Sequence, residues 1–136
     1  MFYKWIKTLH LGLIGGSLYL LAELIWRGHT HWTMGVLGGI CFILFGSLTL
    51  INIPLYMKAL AGTFLVTFLE LCAGLILNIW LKLSIWDYSG LPFNLFGQIC
   101  VPYSLLWLPL SILGIALYPR LQSWLFSESP ARLRIN

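Results

Sequence analysis

Four long apolar stretches alternate with short polar or helix-breaking segments along the chain. The stretches cover about residues 4–26, 32–51, 56–81 and 94–118, and each is long enough to cross the hydrocarbon core of a bilayer as a helix. The connection between the second and third stretches is short, so these two helices should be antiparallel neighbours. The pattern predicts an all-α integral membrane protein with a bundle of four transmembrane helices.

Composition supports the same class. The chain has 136 residues, of which 60% are hydrophobic and only 9% are charged, and its mean hydropathy is +0.89. Soluble domains carry about 25% charged residues, and a small soluble fold could not bury so much apolar surface. We predict one transmembrane domain, residues 1–119, followed by a short basic cytoplasmic tail, residues 120–136.

The distribution of basic residues predicts the orientation. Four helices place both termini on one side of the membrane, and cytoplasmic loops carry the excess of Lys and Arg. The side with the termini holds Lys4, Lys7, Lys58, Arg120, Arg132 and Arg134, and the other side holds Arg27 and Lys82. Both termini are therefore predicted to be cytoplasmic, in a multi-pass protein of the cell membrane, most simply the bacterial cytoplasmic membrane.

Residues 78–100 gather polar groups between two apolar stretches. A lipid-embedded chain gains nothing from polar side chains unless they find partners, so this concentration indicates a functional site. The candidate ligand-binding residues here are Asn78, Trp86, Asp87, Tyr88, Asn94 and Gln98. On the predicted orientation they belong to the outer half of the protein, and we expect a polar pocket that faces outward.

The fourth helix should begin within this polar stretch. Asn94 is a suitable N-cap, and Gln98 follows one turn later on the same face. Pro102 and Pro109 would then interrupt the helix, and Pro102 would free the carbonyl of Gln98.

Glu70 is the most informative single residue, because it lies near the middle of the third apolar stretch. Gly74 and Asn78 follow at spacings of four and eight, on the same helix face. An acidic residue at this depth costs several kcal/mol unless it is protonated or paired. Glu70 is interpreted either as a ligand or proton site, or as a protonated side chain that bonds a neighbouring helix.

Glu23 and Arg27 close the first helix with a spacing of four, acidic residue first, which is the favourable order for an ion pair on one face. Two interpretations stay open. The pair either fixes the depth of the helix at the interface or forms a charged wall of the ligand site.

His29 and His31 lie in the first loop and are weak candidates for a metal site with Glu23 or Asp87. Two imidazoles are too few ligands for a closed zinc site. The three cysteines lack metal-ligand spacing. We predict solvated loop histidines, with no metal and no cofactor.

Small residues recur at a spacing of four in the first two helices, as Gly12 with Gly16 and Gly35 with Gly39. Such pairs allow another helix to approach closely. They predict a homo-oligomer or a larger complex in the lipid bilayer. The net charge of +4 is small and dispersed, and we predict no nucleic-acid partner.

Two motifs in the polar stretch are specific: Trp86-Asp87-Tyr88-Ser89 and Gly97-Gln98-Ile99-Cys100. With residues 27–34, 38–42, 70–81, 92–94 and 103–107, they resemble the small membrane family labelled putative ABC-transporter type IV, or CmpB-like. The resemblance covers about residues 23–107. It implies a multi-pass membrane protein, and the label implies transport.

The sequence leaves three functions open. The chain has no Gly-x-x-x-x-Gly-Lys-Ser/Thr phosphate loop, so an ABC transporter would need a separate ATP-binding subunit. The first hypothesis is a transport-type component that binds a small solute or ion from outside. The alternative is a structural or assembly protein within a homo-oligomer or larger complex. A lipid-modifying enzyme is third, because no catalytic residues stand at a recognisable spacing.

Overall fold

The computed structural model describes residues 1–128, which form four helices long and apolar enough to cross a membrane. They are α1 (Phe2–Arg27), α2 (Trp32–Thr49), α3 (Leu55–Gly74) and α4 (Val101–Phe126), and α3 continues as a π-helix over Leu75–Trp80. Two short strands, β1 (Asn94–Leu95) and β2 (Ile99–Cys100), pair as an antiparallel hairpin. The predicted all-α membrane class and the four helices are confirmed.

The fourth helix begins later than predicted. It starts at Val101, with Cys100 as its N-cap, whereas Asn94 lies in strand β1 and caps no helix. Pro102 therefore occupies the first turn of α4, where the backbone N–H has no helical partner in any case. The prediction that Pro102 interrupts a helix was wrong, because proline is also favoured at a helix start.

The same helix also ends later than predicted. Pro109 lies inside it as expected, but so does Pro119, which is buried, and the helix continues to Phe126. Residues 120–126 are thus helical. Arg132 and Arg134, which contributed to the predicted orientation, lie outside the described residues.

Glycines bring α1 and α2 into backbone contact. A Cβ on Gly16 would lie 2.3 Å from the carbonyl oxygen of Gly35, and a Cβ on Gly39 would lie 2.7 Å from that of Gly12. Both GxxxG pairs are therefore used between two helices of the same chain. They give no support to the predicted homo-oligomer, which stays a prediction.

The core is formed mainly by α2, α3 and α4, and α1 contributes the buried Leu11. Phe42 and Phe45 of α2 are buried against Val66 of α3 and against Ile115 and Tyr118 of α4. Helix α1 packs mainly on α2 and has few contacts with α4. A cavity lined by residues of all four helices remains within the bundle.

Polar contacts join the two ends of α1 to later parts of the chain. At its C-terminal end, Arg27 donates to the carbonyl oxygen of Ile85 at 2.7 Å. Near its N-terminal end, the Lys7 ammonium pairs with the carboxylate of Glu128, just beyond α4. Glu128 also accepts a hydrogen bond from Gln122 at 2.7 Å.

Candidate functional site

The connection between α3 and α4, residues 81–100, folds back onto the ends of these helices. Residues 94–100 form the β1–β2 hairpin, and strand β2 packs on α3. The turn between the strands places Gly97 at a φ of +68°, a conformation that glycine adopts without steric cost. Gly74 of α3 lies directly under the Gln98 side chain, because a Cβ there would be 2.5 Å from Gln98 Oε1.

Polar side chains fasten this connection to α3. The Asn78 amide donates to Gln98 Oε1 at 2.8 Å, and Asn78 Oδ1 accepts from the backbone N–H of Ile85 at 2.7 Å. The indole N–H of Trp86 donates to the carbonyl oxygen of Gln98 at 2.9 Å. Trp86 and Gln98 are both buried. The Gln98 carbonyl is thus bound by an indole and is not left free inside a helix.

Asp87 and Asn94 hold turns within the connection. Asp87 Oδ1 accepts from the backbone N–H of Ser89 at 2.8 Å, which lowers the pKa of this exposed carboxyl group. Asn94 donates to the carbonyl oxygen of Leu91 at 2.9 Å and accepts from the N–H of Gly97 at 3.1 Å. These contacts are typical of Asx turns.

Glu70 lies at the inner edge of the same region and is only 4% exposed. Its Oε1 accepts from the hydroxyl of Tyr88 at 3.0 Å, and its Oε2 accepts from the indole N–H of Trp107 at 3.1 Å. Tyr88 stacks on Tyr103, with ring centroids 4.9 Å apart and planes at 7°. The connection and α4 therefore each supply one donor to a carboxylate of α3.

A cavity of about 180 Å³ adjoins Glu70. Its walls are almost entirely apolar, and Tyr19, Glu70 and Trp107 bring polar groups to it. Tyr19 of α1 and Trp107 of α4 both line it and stack on each other, with ring centroids 6.0 Å apart and planes at 27°. Glu70 is thus a carboxylate at the wall of an apolar space.

The structure divides the predicted site residues of α3 and the connection into three sets. Glu70 and Tyr88 are hydrogen-bonded beside the cavity, whereas Asn78, Trp86 and Gln98 form the network that fastens the connection. Asp87 and Asn94 are exposed and hold turns.

Three aromatic residues of this region were not among the candidates: Tyr19 and Trp107, which line the cavity with Glu70, and Tyr103, which stacks on Tyr88. Tyr103 and Trp107 are four apart, which places them on one face of α4. Aromatic residues are common in apolar helices, so this spacing alone could not distinguish them from packing residues.

Glu23 and Arg27 form the predicted ion pair at 2.8 Å. Glu23 is buried, and its second oxygen, Oε2, has no hydrogen-bond partner among residues 1–128. Arg27 also contacts His29 at 3.1 Å. The pair therefore links α1 to the connection through Arg27 and Ile85 as well as closing the helix.

The loop histidines have local roles. His31 is the N-cap of α2 and accepts from the backbone N–H of Thr33 at 3.4 Å. His29 bonds the backbone and side chain of Arg27. Residues 1–128 contain no group of three or more His, Cys, Asp or Glu side chains placed to hold a metal ion.

Comparison with known protein families gives a match over nearly the whole chain. Residues 11–135 match the family described as "Putative ABC-transporter type IV". The chain belongs to this family. No match was found among curated proteins or among solved structures.

Membership in the ABC-transporter type IV family agrees with the four apolar helices, which imply a bilayer environment and a multi-pass protein. The resemblance inferred from the Trp86-Asp87-Tyr88-Ser89 and Gly97-Gln98-Ile99-Cys100 motifs is confirmed. The family description connects the chain with transport and does not name a solute.

Proposed function

We propose that this chain is a membrane transport component that binds a small solute or ion in the cavity beside Glu70. The observation that carries the proposal is a buried carboxylate at the wall of a cavity. Neither of the ion pairs within residues 1–128 includes Glu70. The two groups that bond its oxygens, Tyr88 and Trp107, are neutral donors.

Energetics favour a ligand at this carboxylate. An ionised group inside a bilayer costs several kcal/mol unless a counter-charge or a proton compensates it, and such residues mark substrate or proton pathways. Two hydrogen bonds offset part of that cost, about 1.5–3 kcal/mol each for a charged acceptor. A bound cation or a proton would supply the remaining compensation.

The remaining predicted site residues support this cavity in the proposal. Asn78, Trp86 and Gln98 fasten the connection that carries Tyr88, and Arg27 holds the same connection to α1. On the orientation predicted from basic residues, this end of the bundle faces away from the cytoplasm. The cavity would then receive its ligand from the outer half of the membrane.

Energy coupling requires another molecule or an ion gradient. This chain has no phosphate-binding loop, so ATP could act only through a separate subunit. Purification of the tagged protein from its native membrane in mild detergent, followed by mass spectrometry, tests this point. A stoichiometric ATP-binding subunit would indicate a permease complex, whereas a homo-oligomer alone would favour passive or ion-coupled transport.

The binding proposal is tested by thermal unfolding of the purified protein against a panel of ions and small solutes. A ligand that binds the folded state raises the melting temperature, increasingly so as its concentration rises above its Kd. At least one compound should stabilise the wild type and lose that effect in Glu70→Gln. Glu128→Gln makes the same chemical change away from the cavity and should keep the effect. The proposal would be contradicted if no compound in the panel stabilised the wild type in a Glu70-dependent way.

A structural or assembly role is the second candidate. It is favoured by the mutual hydrogen bonding of the connection, where Asn78, Trp86 and Gln98 bond one another or nearby backbone. In that case Asn78→Leu would change stability or oligomer size, and Glu70→Gln would change no ligand response.

A further inference from the structure

We propose that the ligand of the Glu70 cavity is a single-chain amphiphile with a quaternary ammonium head group, which arrives sideways from the bilayer. This inference rests on the proposed function, because it names the class of ligand for the same cavity. Four features carry it: the position of the mouth, the charge of the wall, the aromatic pair and the volume.

The mouth of the cavity opens toward lipid. Leu18 of α1 and Leu110 and Leu113 of α4 line the cavity and are also 44%, 45% and 60% exposed. Their exposed surfaces are apolar and lie within membrane-spanning helices. A molecule that passes between these leucines must first dissolve in the hydrocarbon, which a hydrated inorganic ion does not do.

An ionised Glu70 at the wall would select a cation. Glu70 is the only carboxylate that lines this cavity in the described part of the chain, and its two oxygens already accept from Tyr88 and Trp107. A primary ammonium would compete with these donors for the same oxygens. A quaternary ammonium has no N–H to place, so its charge can be compensated while both hydrogen bonds are retained.

The aromatic pair provides a second attraction for the same chemistry. Tyr19 and Trp107 both line the cavity and stack on each other, with ring centroids 6.0 Å apart, so a cation would contact the face of either ring that lies outside the stack. Aromatic rings attract cations through their π-faces, most strongly when the cation is desolvated, and quaternary ammonium groups are recognised in this way. An anionic head group would be repelled by an ionised Glu70 and would gain little from the rings.

The volume limits how much of the ligand is enclosed. The cavity of about 180 Å³ is smaller than the 300–1,000 Å³ typical of sites that enclose a drug-sized ligand. It is large enough for a trimethylammonium group and not for a long alkyl chain. The chain would extend past Leu110 and Leu113 into the lipid, which fixes the orientation of the bound molecule.

The test measures binding of radiolabelled dodecyltrimethylammonium to the full chain in lipid nanodiscs, with empty nanodiscs as background. We expect saturable binding to the wild type and at least about tenfold weaker binding to Glu70→Gln. Excess unlabelled compound should displace the label, whereas dodecyl sulfate and dodecanol at the same membrane concentration should not.

A second pair of variants leaves the carboxylate intact. Leu110→Trp fills the mouth and should also weaken binding at least about tenfold. Leu105→Trp makes the same change on α4 at a residue that is 65% exposed and lies outside the cavity lining, and it should bind as the wild type does. This pair decides the matter if Glu70→Gln does not fold.

Two results would overturn the inference: equal binding by Leu110→Trp and Leu105→Trp, or equal displacement by dodecyl sulfate. If a compound of another class shows Glu70-dependent stabilisation and dodecyltrimethylammonium does not bind, the ligand class is wrong and the proposed function stands. If dodecyltrimethylammonium binds as expected but is not moved across proteoliposome membranes, the inference holds and the transport role fails.

Discussion

The Asn78 side-chain amide donates to Gln98 Oε1 at 2.8 Å, and this bond connects the π-helical end of α3 to the segment just before α4. Because Asn78 also accepts from the N–H of Ile85, one side chain fixes the connection at two separate points. The connection carries Tyr88, so its position determines whether Glu70 keeps both donors.

A double-mutant cycle on Asn78 and Gln98 should therefore show coupling. We expect Asn78→Leu and Gln98→Leu each to lower the free energy of unfolding, and the pair to be less destabilised than the sum by about 0.5–1.5 kcal/mol. Reversible unfolding in mixed micelles measures this quantity. Additive effects would mean that the amide contact does not contribute.

The glycine-mediated contact between α1 and α2 predicts that one added methyl group lowers stability strongly. A Cβ at Gly16 would meet the backbone carbonyl of Gly35 at 2.3 Å, and backbone cannot rotate away as a side chain does. We expect Gly16→Ala to lower the free energy of unfolding by about 1–3 kcal/mol. The matched control, Gly90→Ala, adds a Cβ with no neighbour within 4 Å and should stay within about 0.5 kcal/mol of the wild type.

Asp87 predicts a small acid dependence of stability. Its pKa is lowered by the N–H of Ser89, so the ionised carboxylate stabilises the folded state at neutral pH. This contribution is present above the unfolded pKa, about 3.9, and is lost as the pH falls through the lower folded pKa. Between pH 7 and pH 3, the melting temperature should fall more steeply for the wild type than for Asp87→Asn. Parallel curves would show that the turn does not use the charge.

The orientation is tested with reporter fusions. Green fluorescent protein after residue 136 should fluoresce, because the basic residues predict a cytoplasmic C-terminus. Alkaline phosphatase inserted after Gly90 should be active, since the connection between α3 and α4 would face outward. The opposite pair of results would show that the protein has the inverted orientation. The cavity would then face the cytoplasmic half of the membrane.

The four helices and the polar concentration could be predicted from sequence because both are properties of consecutive residues. Twenty apolar positions identify a membrane span regardless of its neighbours. The end of α3 and the start of α4 were less certain, because Pro102 is compatible with a helix interior in a membrane and with a first turn. Only the pairing of β1 with β2 distinguishes the two cases.

The partners of polar and small residues could not be predicted, because they depend on tertiary packing. Gly12 and Gly16 indicate a close helix contact but not whether the other helix belongs to the same chain. Glu70 was identified as unusual from its depth alone. Its donors, Tyr88 and Trp107, lie 18 and 37 residues away along the chain, beyond any local pattern.

The attachment of α1 has a mechanical consequence. Arg27 ties one end of this helix to the connection, Lys7 ties the other end to Glu128, and the glycine contacts with α2 hold its middle. A helix held at both ends and along one side cannot bend away alone. Exchange of a ligand with the bilayer would therefore depend on rotation of the exposed side chains that line the cavity, such as Leu18 and Leu110.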